Sequence, residues 1–170
     1  MPEEMKEEPV LTYDLTSPLL DEVNPRILGV LQADPRLTMA ELARRVGMSS
    51  PAVTERVRRL EEAEVIRGYR LDLDPRAFGL PLSAYVRVRP HSGRLAQIVE
   101  LARRIPEVVE CHRITGDDCF ILRVHLPSME QLDRLLDRFL IYGSTTTSIV
   151  QSSPVPARLP PLPQPSKRQE

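Results

Sequence analysis

Hydrophobic positions fall every three or four residues through the first half of the chain. In the second half they fall every other residue in several short runs. Residues 21–66 carry the helical period three times. In "NPRILGVLQAD", Ile27, Leu28 and Leu31 form a stripe; Asn24 has the chemistry of a helix cap and Pro25 suits the first helical position, where no amide is needed. In "TMAELARRV", Thr38 and Glu41 have capping-box spacing, and Met39, Leu42, Ala43 and Val46 share a face. A third helix is expected from Ser50 to about Ala63, with Pro51 in its first turn and Val53, Val57 and Leu60 inward. "VIRGYRLDLDP" then alternates at Tyr69, Leu71 and Leu73, which predicts a short ribbon.

From residue 82 the period changes. "LSAYVRVR" sets Leu82, Ala84, Val86 and Val88 on one face; "VVECHRIT", "CFILRVHL" and "TTTSIVQSS" read as further strands. Between them lie helical runs. "RLAQIVELARRI" aligns Leu95, Ile98, Ala102 and Ile105. "MEQLDRLLDRFL" aligns Met129, Leu132, Leu135, Leu136 and Phe139, behind a Ser128/Gln131 cap. "TGDD" is a turn. The order βαββαβ is a ferredoxin-like split motif, and the fold class expected for the whole chain is α+β. Two helices cover one face of such a sheet. The other would expose Tyr85, Ile121, Cys119, Arg87 and Arg123, a half-apolar surface that a second copy would cover.

This divides the chain into an acidic arm (1–20), a helical domain with its ribbon (21–78), a ferredoxin-like domain (79–152) and a proline-rich tail (153–170). Both ends lack a burial pattern and are expected to be disordered. The tail's "PPLP" could dock a partner, although a solvated tail is the plainer reading. The N-terminus has no apolar signal-peptide core and no run is long enough to span a membrane, so a cytoplasmic protein is expected.

The spacing of three residues changes the picture of the helical domain. Ala43 is small where a second helix must cross closely. Gly47, four residues on, suits a turn at positive φ, and Val53, six further, anchors the next helix. This is helix-turn-helix spacing. With Val53 inward, Pro51, Thr54, Glu55 and Arg58 point out, flanked by Arg59. Ser49 and Ser50 stand at the positive end of the helix dipole, suited to a phosphate. Arg58 has the reach for a guanine edge and Thr54 for a base or methyl. Arg44, Arg45, Arg56, Arg59, Arg67 and Arg70 are candidates for phosphate contact, which positions without specifying. Charge argues less: the net is −1 over 170 residues, and residues 36–76 hold nine basic and seven acidic groups. A solvated face shared with Glu55, Glu61, Glu62 and Glu64 is the competing reading. The spacing favours double-stranded DNA.

The helix-turn-helix, "RVRRLEEAEVIRGYRLDLDP" and the βαββαβ block with "ECHRITGDDCFILRV" and "TTTSIV" together resemble the Lrp/AsnC family of bacterial and archaeal transcription regulators, over about residues 21–152. The resemblance implies a winged helix-turn-helix domain, an effector-binding and oligomerisation domain, and a dimer that assembles further, commonly to an octamer. It implies a recognition helix at about Ser50–Ala63. It also implies an effector site at subunit contacts, near the turn holding Gly116, Asp117 and Cys119 and near Thr145, Thr146 and Thr147. Gly116 and the threonines offer backbone and hydroxyl partners to an amino-acid zwitterion, and Asp117 a partner for its ammonium. Three features depart from the family pattern. "GDDCF" stands where "GDxDY" is usual, which removes polar partners at Cys119 and Phe120. The "YGSTTTS" loop is short. Glu64 replaces the glycine that ends the recognition helix, so it must avoid the left-handed conformation or adopt it at a cost.

Two other functions have residues to offer. Some proteins of this fold decarboxylate sirohaem-type tetrapyrroles, and His112, Arg113, Arg123 and His125 lie near the sheet. Cys111, Cys119, His112 and His125 could sense a metal or redox state, but no close-spaced ligand motif is present. No nucleophile motif, phosphate-binding glycine loop or dinucleotide fingerprint occurs. The reading favoured is a non-enzymatic regulator with no metal and no cofactor.

Overall fold

The computed structural model describes Leu19 and residues 21–162. The acidic arm, apart from Leu19, and the last eight residues of the tail lie outside the described residues. The chain divides into two compact units, one reaching Leu71 and including the chain from Ala157 onward, the other Asp72–Pro156.

The first unit packs three helices, α1 (Asn24–Ala33), α2 (Met39–Val46) and α3 (Ser50–Glu62). Their stripes meet in a core of Ile27, Leu31, Leu42, Ala43, Val46, Val53, Val57 and Leu60. Thr38 caps α2 by accepting from the Glu41 amide. Gly47 ends α2 at φ 74°, and the Met48 amide reaches back to the Ala43 carbonyl at 3.0 Å. That closure needs positive φ, which glycine adopts without a Cβ penalty.

Asn24 is not the cap of α1. Asp21 takes that part, its Oδ1 accepting from the Val23 amide at 3.0 Å and the Asn24 amide at 2.9 Å. Asn24 is instead buried, and its Nδ2 donates to the Leu19 carbonyl. The sequence offers two capping residues three apart, and burial decides between them. Glu64 does adopt the left-handed conformation, at φ 55°, while the Ile66 amide bonds the Leu60 carbonyl at 3.0 Å.

The ribbon expected after α3 is not formed. Residues 67–74 hold no strand, and Tyr69, Leu71 and Leu73 are 52%, 82% and 56% exposed. Alternation alone does not make a strand; a ladder partner must exist. A 3-10 turn at Pro75–Phe78, capped by Asp74, leads into the second unit.

That unit is a four-stranded antiparallel sheet in the order β2-β3-β1-β4, made of β1 (Leu82–Pro90), β2 (Val108–Arg113), β3 (Phe120–Leu126) and β4 (Gly143–Ile149). Helices α4 (Leu95–Arg104) and α5 (Met129–Leu140) complete βαββαβ. Ala84, Val86 and Val88 face Val124, Leu122 and Phe120 across the β1/β3 ladder, and Ile98, Ala102, Leu132, Leu135 and Phe139 cover them. The opposite face carries Tyr85, Arg87, Ile121 and Arg123, with no covering layer among the described residues; Cys119, expected there, packs instead against the helix-covered core. On edge strand β2 the register slips between Val108 and Glu110.

The tail returns to the first unit. Gln32 Nε2 of α1 donates to the Pro160 carbonyl at 3.2 Å, and Leu162 lies against Gly29.

Candidate nucleic-acid interface and ligand site

Ser49 is the residue before α3, in extended conformation, and its hydroxyl makes no cap hydrogen bond. Pro51 contributes no amide. The positive end of the helix dipole is therefore left without a side-chain acceptor. Thr54 is exposed, and its hydroxyl donates to the Ser50 carbonyl at 2.8 Å.

Arg58 is engaged within its own helix. Its Nε and Nη2 grip Glu55 at 2.9 and 2.8 Å, and its Nη1 reaches Glu62. Arg59 Nε joins the same Glu55 carboxylate at 2.8 Å. These guanidinium hydrogen bonds, Arg58 first, lower the Glu55 carboxyl to about 2. Arg44 and Arg45 share Glu41 in the same way, Arg45 at 3.2 Å. Glu55 and Glu62 belong to the solvated face that the sequence offers as a competing reading; Glu41 does not. The geometry joins the two readings, since the outward arginines carry their counter-ions with them.

Arg56 departs from the phosphate role. Its Nη1 donates to Asp21 at 2.6 Å and to Asn24 Oδ1 at 2.9 Å, tying α3 to the start of α1. Its position on the helix points it into the unit, a direction that a count of basic residues does not carry.

In the sheet unit, the turn between β2 and β3 is closed by the Ile114 amide donating to the Cys119 carbonyl at 2.9 Å, with Gly116 at φ 102°. Asp117 is exposed and lies 3.5 Å from Arg89. Asp118 is better enclosed and lies 3.6 Å from Arg87 and 3.5 Å from Arg89. Asp118, Arg87 and Arg89 were not among the expected ligand residues. The signal was the arginine alternation on β1, which sets both side chains on the open face.

The three threonines do not share a face. Thr146 stands opposite Arg87, on the open face. Thr145 and Thr147 stand opposite Val88 and Val86, on the helix-covered face, and the Thr147 hydroxyl oxygen is buried without a partner. Pairing with β1 fixes this parity, and one register step would reverse it.

The residues proposed for catalysis or metal binding divide between the two faces of the sheet, His112, Arg123 and His125 on the open face and Cys111 and Arg113 on the helix-covered one. His112 and Arg123 both pair with Glu110, at 3.4 and 3.1 Å. His125 is buried, with Nδ1 2.7 Å from the Ser83 hydroxyl; burial first, then Arg123, lowers its pKa. Arg113 lies opposite Phe120, on the other face. A groove of about 540 Å³ beside β2 is lined by Leu95, Val99, Val108, Cys111, Arg113 and Phe120 among others, and contains no histidine. Cys111 pairs with Leu122 on the helix side of the sheet, half a ladder from Cys119 on the turn, and both thiols are free. Among the described residues no group of three or more His, Cys, Asp or Glu could hold a metal.

An uncapped recognition helix on a three-helix unit, followed by a ferredoxin-like unit, defines a two-domain DNA-binding regulator. Residues 20–67 match the family model described as winged helix-turn-helix DNA-binding, and residues 83–160 match the Lrp/AsnC ligand binding domain. The transcriptional regulator LrpC of Bacillus subtilis is 32% identical over 78% of this chain and 92% of its own. Its solved structure superimposes with a TM-score of 0.75, covering 78% of this chain and 95% of that one. A transcriptional regulator of Neisseria meningitidis in complex with L-methionine gives 0.76 at 29% identity, over 83% and 96%. The feast or famine regulatory protein of M. tuberculosis complexed with L-methionine gives 0.73 at 32%, over 82% and 97%. The chain belongs to the Lrp/AsnC family and is a DNA-binding transcription regulator of that type. These relatives are named as regulators, and neither the tetrapyrrole enzyme nor the metal or redox sensor finds support.

Proposed function

We propose that α3 enters the major groove of double-stranded DNA, with Thr54, Glu55 and Arg58 at base edges. Ser49, Ser50 and Pro51 bring the helix end to a phosphate, and Arg44, Arg45 and Arg59 supply further backbone contacts. The observation that carries this reading is the uncapped start of α3, held by the Gly47 turn. A dimer presenting two such helices reads half-sites about 34–36 Å apart, so the operator is a rough palindrome. Footprinting on the protein's own promoter region and on random duplex tests it. Specific protection is expected with wild type and its loss with Arg58→Ala; equal affinity for every duplex would defeat the reading.

The effector is an amino-acid-like zwitterion, bound where subunits meet. Relatives complexed with L-methionine support that chemistry. On this chain Asp118 and Arg87 offer a partner for each charge, with Gly116, Asp117, Cys119 and Thr146 around them; Thr145 and Thr147 contribute through the backbone of β4. The uncovered sheet face supports a homodimer, which builds to a tetramer or octamer of dimers. Acting on DNA, the protein works in the cytoplasm; among the described residues no helix is long and apolar enough to cross a membrane. A calorimetric screen of the amino acids, repeated on Asp118→Asn, tests the site. Heat from one or more of them and its loss in the variant are expected.

A further inference from the structure

The described part of the tail lies against the helical unit. Pro160 and Leu162 sit on α1, a helix that contributes none of the groove-facing residues. We propose that the Gly29/Gln32 face of α1 is a docking site for the proline-rich segment Arg158–Leu162 of the same chain, which straps the helical unit.

Three observations support it. Gln32 Nε2 donates to the Pro160 carbonyl at 3.2 Å. A methyl group added at Gly29 would lie 3.5 Å from Leu162 Cδ1, an ordinary contact, which places the leucine side chain directly over this position of α1. A side chain longer than alanine's at this position would occupy the space that Leu162 fills. Contacts also group the chain from Ala157 onward with the helical unit, although Pro156 belongs to the sheet unit.

The chemistry suits a proline-rich occupant. An extended proline segment has no internal hydrogen bonds, so its carbonyls are free to accept. Its backbone is already restricted, which reduces the entropy lost on docking. One glutamine donor and one apolar notch match one proline carbonyl and one leucine two residues later. The helical unit is thereby joined to the rest of the chain by two crossings, at Leu71/Asp72 and at Pro156/Ala157.

Limited trypsin digestion reads the docked state, because Arg158–Leu159 is a cleavable bond at its edge. The test compares the full chain with Gly29→Ala, Gly29→Leu, Gln32→Ala and a chain ending at Pro156. The first substitution makes only ordinary contact with Leu162; the second fills its seat. Cleavage after Arg158 is expected several-fold faster in Gly29→Leu, intermediate in Gln32→Ala, and unchanged in Gly29→Ala. Hydrogen exchange in α1 is expected to rise several-fold in the truncated chain, with α4 and α5 unchanged. Gln32→Ala and the truncation keep the test decisive if Gly29→Leu does not fold. Equal cleavage in every folded variant, or α1 exchange indifferent to the truncation, overturns the proposal. So does crosslinking of α1 to the tail of a differently labelled copy, which would assign the strap to a second chain.

Discussion

Glu55 and Arg58 lie one turn apart on α3, and the guanidinium holds the carboxylate through two hydrogen bonds, at 2.9 and 2.8 Å. Arg59 bonds one of the same oxygens. A phosphate or a guanine must therefore compete with an internal anion for both arginines.

Replacing Glu55 by Gln removes that competitor. Affinity for random duplex should rise several-fold, and the slope of log affinity against log salt should steepen by about one. The ratio of operator to random binding should fall. Fluorescence anisotropy across a salt series measures all three; an unchanged slope would mean that neither arginine faces the DNA. Because Glu55 titrates at about 2, its pairing is complete above the ordinary glutamate range and lost only as pH falls towards 2. DNA binding should show no titration from this group at any physiological pH.

Asp21 ties the start of α1 to Arg56 of α3. Burial pushes its carboxyl up, but hydrogen bonds from the Asn24 amide, Arg56 and the Val23 amide outweigh that and hold it below the usual range. A carboxyl lowered on folding stabilises the fold above its unfolded value, and the contribution vanishes as pH falls through the folded value. Asp21→Ala should cost about 1 kcal/mol as a lost cap. Urea unfolding at pH 7 and at a series of pH values below the ordinary aspartate range should show the variant's deficit in full at the first and shrinking as the pH falls. A constant deficit would assign the effect to packing.

Glu64 holds φ 55° without the freedom of glycine. Left-handed geometry costs an L-residue about 1–2 kcal/mol. Glu64→Gly should recover roughly 1 kcal/mol and raise the midpoint of thermal unfolding by about 4–8 °C if the helical unit melts alone. A lower midpoint would show that the side chain has a stabilising role of its own.

Gly143 opens β4 opposite Pro90. A Cβ there would fall 2.3 Å from the Arg89 carbonyl oxygen, closer than backbone can tolerate. Gly143→Ala must push β4 off β1, at a cost of about 1–3 kcal/mol or more. Denaturant melts check this, and a loss under 0.5 kcal/mol would show that the strand end yields freely.

The helices, strands and most of their inward positions were legible because burial imposes a period of 3.6 or 2 that any correct fold must honour; Leu95 and Met129, expected on inward stripes, open α4 and α5 and are exposed there. Ala43, Gly47 and Val53 were legible for a stronger reason: close crossing, positive φ and anchoring each admit few residues. Partnership was harder to read. Tyr69, Leu71 and Leu73 alternate like a strand, yet a ladder depends on a neighbour that local sequence does not contain. Arg56 was counted with the candidates for phosphate contact because its direction depends on how α3 packs on α1. Thr145, Thr146 and Thr147 look alike in sequence, and only the pairing with β1 separates them.

Edge strand β2 breaks register between Val108 and Glu110. A flat sheet margin is a template on which any extended chain can grow, and end-to-end stacking of such margins is how soluble proteins turn into fibres. The extra residue bends the margin and interrupts its row of amides. The irregularity at Val109 thus denies an extended neighbour the continuous ladder that the open-ended route requires.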